Sequence, residues 1–210
     1  REHLDQDYLD FKYVLSKNSK YFDQACSLLI YVSDLLGHNE DIIKYAPGVI
    51  EGGFDNVSEI KNIYVKALLK TKKQQNIIQA LKLLDSIIDE DDDVTINNYF
   101  MKVRILLDFS EFDEAEATVE KAFARFNPSV ELYYLRGLTS LALYKNKKEE
   151  EYLDEAINAY QIALEYDNKH NMSRIKLSEA YMLKNMVEDA LETLDGFRVY
   201  YDENITPEDK

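Results

Sequence analysis

The amino-acid sequence predicts an all-α fold, a right-handed solenoid of antiparallel helix pairs with about ten or eleven helices. Three observations predict it. The 210 residues include only six Gly and three Pro, too few for the turns a strand-rich chain would need. Ala80, Ala115, Ala156 and Ala190 recur at intervals of 35, 41 and 34 residues, and the charged stretch "KNKKEEE" (145–151) accounts for the one long interval. Four residues beyond each alanine stands Leu84, Val119, Tyr160 or Leu194, and seven beyond stands Ile87, Ala122, Ala163 or Phe197. Steps of four and seven mark one face of a helix.

The N-terminal stretch "DYLDFKYVLSKNSKYFDQACSLLIYV" reads as a helix pair, with Ala25, Leu29 and Val32 on one face. "NEDIIKYA" reads as one additional helix, ended by Pro47 and the Gly-rich "PGVIEGGFDN". Residues 1–56 are therefore expected to form an N-terminal pair, an irregular helix and a connection. A boundary near residues 40–56 is preferred to a degenerate repeat. Residues 57–205 hold four further pairs. Their first helices are "IKNIYVKALLK" (60–70), "INNYFMKVRILLDF" (96–109), "VELYYLRGLTSLALY" (130–144) and "NMSRIKLSEAYML" (171–183), each followed by an alanine-centred helix. Removing 145–151 restores a period of 34 to 35, so that stretch is expected to be an exposed helix extension or loop that tolerates deletion. Residues 206–210 are a tail.

A small residue at a fixed place in every second helix lets a neighbouring helix come close, and helix pairs at this period stack into an array. The chain resembles the tetratricopeptide repeat family. The residues that carry the resemblance are Ser178, Tyr181 and Ala190 in the last repeat, and Tyr133, Gly137, Ala156, Tyr160 and Ala163 in the one before. Tyr99, Ala115 and Ala122 match in the next, with Pro128 one place late. The repeat from Lys61 keeps Tyr64 and Ala80 but has Leu68 and Thr71 where the family has a small and an aromatic residue. The resemblance covers about residues 60 to 200.

Forty acidic residues against 25 basic ones give a net charge of −15. Such a surface repels phosphate backbones and favours basic partners, so no nucleic acid is expected. Cys26 is the single cysteine, which leaves no disulfide framework and no cysteine-built zinc site and suits a reducing, cytoplasmic compartment. A nuclear or membrane-peripheral place within a complex is compatible with this. Asn56, Asn171 and Asn204 open N-x-S/T triplets, which are read as coincidences, a luminal home being the alternative. No apolar run approaches the length of a membrane span, so no membrane insertion is expected. The chain begins at Arg1 rather than Met, as a piece of a longer protein would.

Catalysis finds little support. His3, His38 and His170 fall near helix ends or loops, far apart, and are read as solvent-exposed. Nucleophile-elbow, zinc-protease and P-loop motifs are absent, and "PGVIEGGF" lacks the phosphate-binding lysine. The acidic run "DEDDDV" (89–94) lacks the alternation and glycine of a calcium loop and reads as a solvated turn. No enzyme activity, cofactor or metal is expected.

"VELYYLRGLTSLALY" has almost no polar face. A helix apolar all round is enclosed on all sides. Either it is the central helix, wedged between repeats, or a partner covers part of it. The resemblance implies a concave groove lined by the first helix of each pair. The matching positions are Asn62, Val65 and Leu69, then Asn97, Phe100 and Arg104, then Tyr134 and Leu138, then Met172, Ile175 and Glu179. The lysine–asparagine clamp by which some members hold acidic chaperone tails has no counterpart at Val65/Leu69, Phe100/Arg104 or Tyr134/Leu138. The expected function is a non-catalytic interaction scaffold or adaptor, holding a peptide or helix of a protein partner, basic and apolar in character, in that groove. The alternatives are an assembly chaperone shielding a basic, apolar client segment, or a regulatory or targeting subunit of an enzyme complex.

Overall fold

The computed structural model describes residues 2–17, 22–53, 56–90 and 92–202, and among them are eleven α-helices and no strand. The all-α repeat expected from the sequence is the fold. The helices are α1 (Glu2–Ser16), α2 (Phe22–Leu36), α3 (Asn39–Glu51), α4 (Val57–Lys70), α5 (Gln74–Glu90), α6 (Ile96–Asp108), α7 (Phe112–Arg125), α8 (Val130–Lys147), α9 (Glu150–Tyr166), α10 (Asn171–Leu183) and α11 (Val187–Asp202). They form two compact units, Arg1–Asn98 and Tyr99–Lys210, each with its own packing. The side chain of Phe197, Asp91 of the acidic run, Asn204 and the expected tail 206–210 lie outside the described residues.

In the first unit α1 packs on α2, α2 on both α3 and α4, α3 on α4, and α4 on α5. Leu29, Ile30, Ile42, Ala46, Ile60, Leu68, Ala80 and Leu84 are completely enclosed. One expectation is corrected here. Pro47 does not end the helix that begins at Asn39; α3 runs through it to Glu51. Proline cannot donate to the Ile43 carbonyl one turn back, which costs about 3 kcal/mol in an ordinary helix. The burial of Ala46 and Val49 on either side of it favours continuation. Ala46 stands 34 residues before Ala80, so the alanine period begins one repeat earlier than the spacing from Ala80 onward indicates.

The turns tell the same story. Gly37, Lys72, Ser110, Lys148 and Asn185 all adopt positive φ, between 57° and 79°, in the turns α2–α3, α4–α5, α6–α7, α8–α9 and α10–α11. A left-handed residue just past a helix end reverses the chain and satisfies carbonyls of the last turn. In three of the turns the following amide reaches back five residues: His38 N to Ser33 O (2.8 Å), Glu111 N to Leu106 O (2.8 Å) and Met186 N to Tyr181 O (2.9 Å). α2 and α3 are thus joined as the four later pairs are, and α1 packs onto α2 from outside that series.

In the second unit α8 is the centre. It packs on α7, α9 and α10, and its Tyr134 reaches Phe100 of α6. On one side Tyr133 stacks on Tyr166 (centroids 5.7 Å apart) and meets the edge of Phe123 (5.3 Å). This explains the missing polar face: neighbouring helices cover α8 on several sides. Gly137 is required for the closest contact. A Cβ built there would lie 2.4 Å from Cε1 of Tyr160, itself fully buried. The stretch 145–151 lengthens the hairpin: α8 continues to Lys147 and α9 starts at Glu150, with Lys148 in the turn.

Candidate functional site

Five of the residues expected to face a groove come together in the second unit. Phe100 and Arg104 of α6, Tyr134 and Leu138 of α8, and Met172 of α10 line an open concavity of about 520 Å³, completed by Leu107 and Asp108. Helical spacing places Phe100, Arg104, Leu107 and Asp108 along one side of α6, at steps of four, three and one. Leu107 and Asp108 extend the spacing that picked out Phe100 and Arg104, and carrying that spacing one turn further would have found them.

The floor is aromatic. Phe100 and Tyr134 stack with centroids 5.8 Å apart and planes 14° from parallel. Tyr134 also meets the edge of His170 at 5.1 Å and lies 6.0 Å from Tyr160. Only 8% of Tyr134 is exposed, and it belongs to the core with Leu141, Leu153, Ile157 and Leu177. The two readings of this helix therefore resolve largely toward the core: Tyr134 is a packed residue with one edge at the groove. Phe100 and Leu138 are half-buried against the same core, and Arg104 is exposed. His170 departs from its solvent-exposed reading. It is half-buried and caps α10, its Nδ1 accepting from the Ser173 amide at 3.3 Å.

The charges around the floor are mixed. Lys145 and Lys176 both donate to Glu179, across α8 and along α10. Burial by itself would raise the Glu179 carboxyl, but the hydrogen bonds from Lys145 and Lys176 outweigh it and hold the group below its ordinary range. Burial pushes the Tyr134 hydroxyl up; Lys176 and Arg104 pull it back, and Glu179 adds to the rise.

Of the remaining expected residues, Ile175 is exposed on α10 and Glu179 is paired with two lysines there, and the others lie in the first unit. Val65 is corrected: it is 0% exposed, because α2, α3 and α5 all pack on α4, and it has no surface to offer a partner. Asn62 is half-buried and accepts a hydrogen bond from the Asn98 side chain, whose oxygen in turn accepts from the Thr95 amide at 2.8 Å. Leu69 is half-buried and Asn97 exposed. Among the described residues no group of three His, Cys, Asp or Glu side chains is placed to hold a metal ion. No described helix is long and apolar enough to cross a membrane.

No protein-family model matches the chain, and no curated protein matches it in sequence. Solved structures do match. A double mutant of MamA RS-1 superimposes with a TM-score of 0.68 at 16% identity, over 87% of this chain and 96% of that one. BtubC from P. vanneervenii gives 0.67 at 12% identity, over 98% and 92%. TTC0263, a thermophilic tetratricopeptide repeat protein from Thermus thermophilus, gives 0.56 at 18% identity, over 85% and 91%. At these identities the likeness is one of fold, and the fold is of the tetratricopeptide-repeat type.

Proposed function

We propose that the chain is an interaction scaffold or adaptor, without chemistry of its own, that holds a segment of a protein partner in the concavity of its second unit. The observation that carries this reading is the Phe100–Tyr134 stack at the floor of an open hollow built by α6, α8 and α10. Tyr134 is held rigidly by its neighbours, while Phe100 and Leu138 keep part of their surface free. Rigid aromatic groups bordered by apolar surface are the usual anchors of protein interfaces. The proposed contact set is Phe100, Arg104, Tyr134 and Leu138.

Copurification from cells followed by mass spectrometry, with wild type and Phe100→Ala side by side, tests the proposal. A protein recovered by the wild type and lost from the variant, while the variant stays folded by circular dichroism, is the expected outcome. Equal recovery by both sinks the groove assignment. A catalytic protein recovered in fixed proportion would favour the regulatory-subunit reading over a general adaptor. The net charge of −15 favours the chaperone of a basic client as a second reading, and binding that weakens steeply with salt wherever the acidic surface is intact would support it.

A further inference from the structure

We propose that the segment held in this groove is apolar and carries a carboxylate beside its anchor, with the anchor on the Phe100–Tyr134 floor and the carboxylate on Arg104. The inference rests on the groove reading above and deepens it. The chain as a whole, at −15, predicts the opposite preference; the local arrangement departs from that average. The charged groups that line the hollow or act on Tyr134 are Arg104 and Asp108 of α6 and Lys176 and Glu179 of α10, with Lys145 of α8 paired to Glu179. Three are cations and two are anions. Glu179 is already engaged by both lysines, so its charge is answered within the molecule. Arg104 lines the hollow, is exposed, and has no ion pair or hydrogen bond among the described residues.

Asp108 also lines the hollow, one turn further along α6 at the helix end. Arg104 lines the hollow between that residue and the aromatic floor, so a lysine brought beside the floor would meet its guanidinium and be repelled where an aspartate or glutamate would be held. Guanidinium groups suit carboxylates in particular, through paired parallel hydrogen bonds. A second copy of this chain is a poor occupant, since it brings its own −15 to the encounter. Nucleic acid is disfavoured on the same ground.

The chain has no tryptophan, so a tryptophan in a probe peptide reports binding without interference. Three short amphipathic peptides, blocked at both termini, would share a Trp–Leu face and differ at the neighbouring position, which carries Glu, Gln or Lys. At low salt the Glu peptide should bind about three- to fivefold more tightly than the Gln peptide, the range of a solvent-accessible ion pair. The Lys peptide should bind more weakly than either. Arg104→Gln, checked for an unchanged circular dichroism spectrum, should bring the Glu-to-Gln ratio close to one. A Lys peptide that matches the Glu peptide, or a ratio that survives in Arg104→Gln, overturns the carboxylate preference and leaves the groove reading standing. Failure of the groove reading looks different. All three peptides would then be indifferent to Phe100→Ala, or none would bind at millimolar concentration, and the proposal falls with it.

Discussion

Gly137→Ala should destabilise the protein, against the usual sign of the substitution. In the middle of a helix, replacing glycine by alanine gains about 1 kcal/mol of backbone preference. At Gly137 the new Cβ would lie 2.4 Å from Cε1 of Tyr160 and 2.7 Å from Cδ1 and Cζ. Ordinary carbon contacts are about 3.5–4.0 Å, so the ring must retreat by about 1 Å. It has little room, being fully buried within the core that includes Leu141, Leu153, Ile157 and Leu177. Overpacking of this kind costs about 1–3 kcal/mol, and a clash against a ring rather than a flexible chain end belongs at the upper end. The net expectation is a loss of about 1–2 kcal/mol after the helix gain is subtracted. Urea unfolding followed by circular dichroism measures it. Gly48→Ala is the matched control: Gly48 is also helical, in α3, but nothing stands within 4 Å of its Cβ position. That variant should gain stability. If Gly137→Ala gains as much as Gly48→Ala, the close packing of α8 on α9 through this contact is refuted.

Four other outcomes follow from the same geometry. Tyr134→Ala should cost about 3–5 kcal/mol, as a large core truncation does, and thermal melting should show a smaller loss for Phe100→Ala. Ala46→Leu should cost about 1–3 kcal/mol in urea unfolding if Ala46 is the first alanine of the period; a neutral result would remove it from the series. Lys148→Gly should raise stability by about 0.5–1 kcal/mol, because Lys148 holds a φ of 61° that glycine adopts without strain, and a lowered melting temperature would contradict this. Glu179→Gln should melt lower than wild type at pH 7. Because the native carboxyl is held low, its contribution is full above the unfolded value of about 4.3 and fades as pH falls through the native one, so the gap should close below about pH 4.

The alanine spacing exposes the fold because a close helix crossing tolerates only a small side chain, and that demand is written residue by residue. Ala46 is hidden in the sequence for a physical reason: Pro47 beside it is an ordinary stop signal, and only tertiary burial of Ala46 and Val49 reveals that the helix continues. The groove is legible in part. Family positions pick Phe100, Arg104 and Leu138, which line the concavity, yet the same rule selects Val65, which its neighbours enclose. Position along a helix says which way a side chain points, not what lies opposite. Tyr134 could not be assigned from sequence for that reason. The net charge is coarse in a similar way, since a sum over 210 residues does not register that Glu179 is engaged by two lysines beside the concavity that Arg104 lines.

The lengthened hairpin α8–α9 shows how such a chain can grow without disturbing its neighbours. α8 has 18 residues where α6 has 13, and α9 begins six residues before Ala156 where α7 begins three before Ala115. Seven residues are close to two helical turns, and divided between two antiparallel rods they add about one turn, some 5.4 Å, to each. The added turns lie beyond the packed part of the pair. Ala156 and Tyr160 stay buried, with Tyr160 against Gly137 of α8. Two or three residues added at the same place would lengthen the turn, whereas seven are enough to continue both helices beyond it.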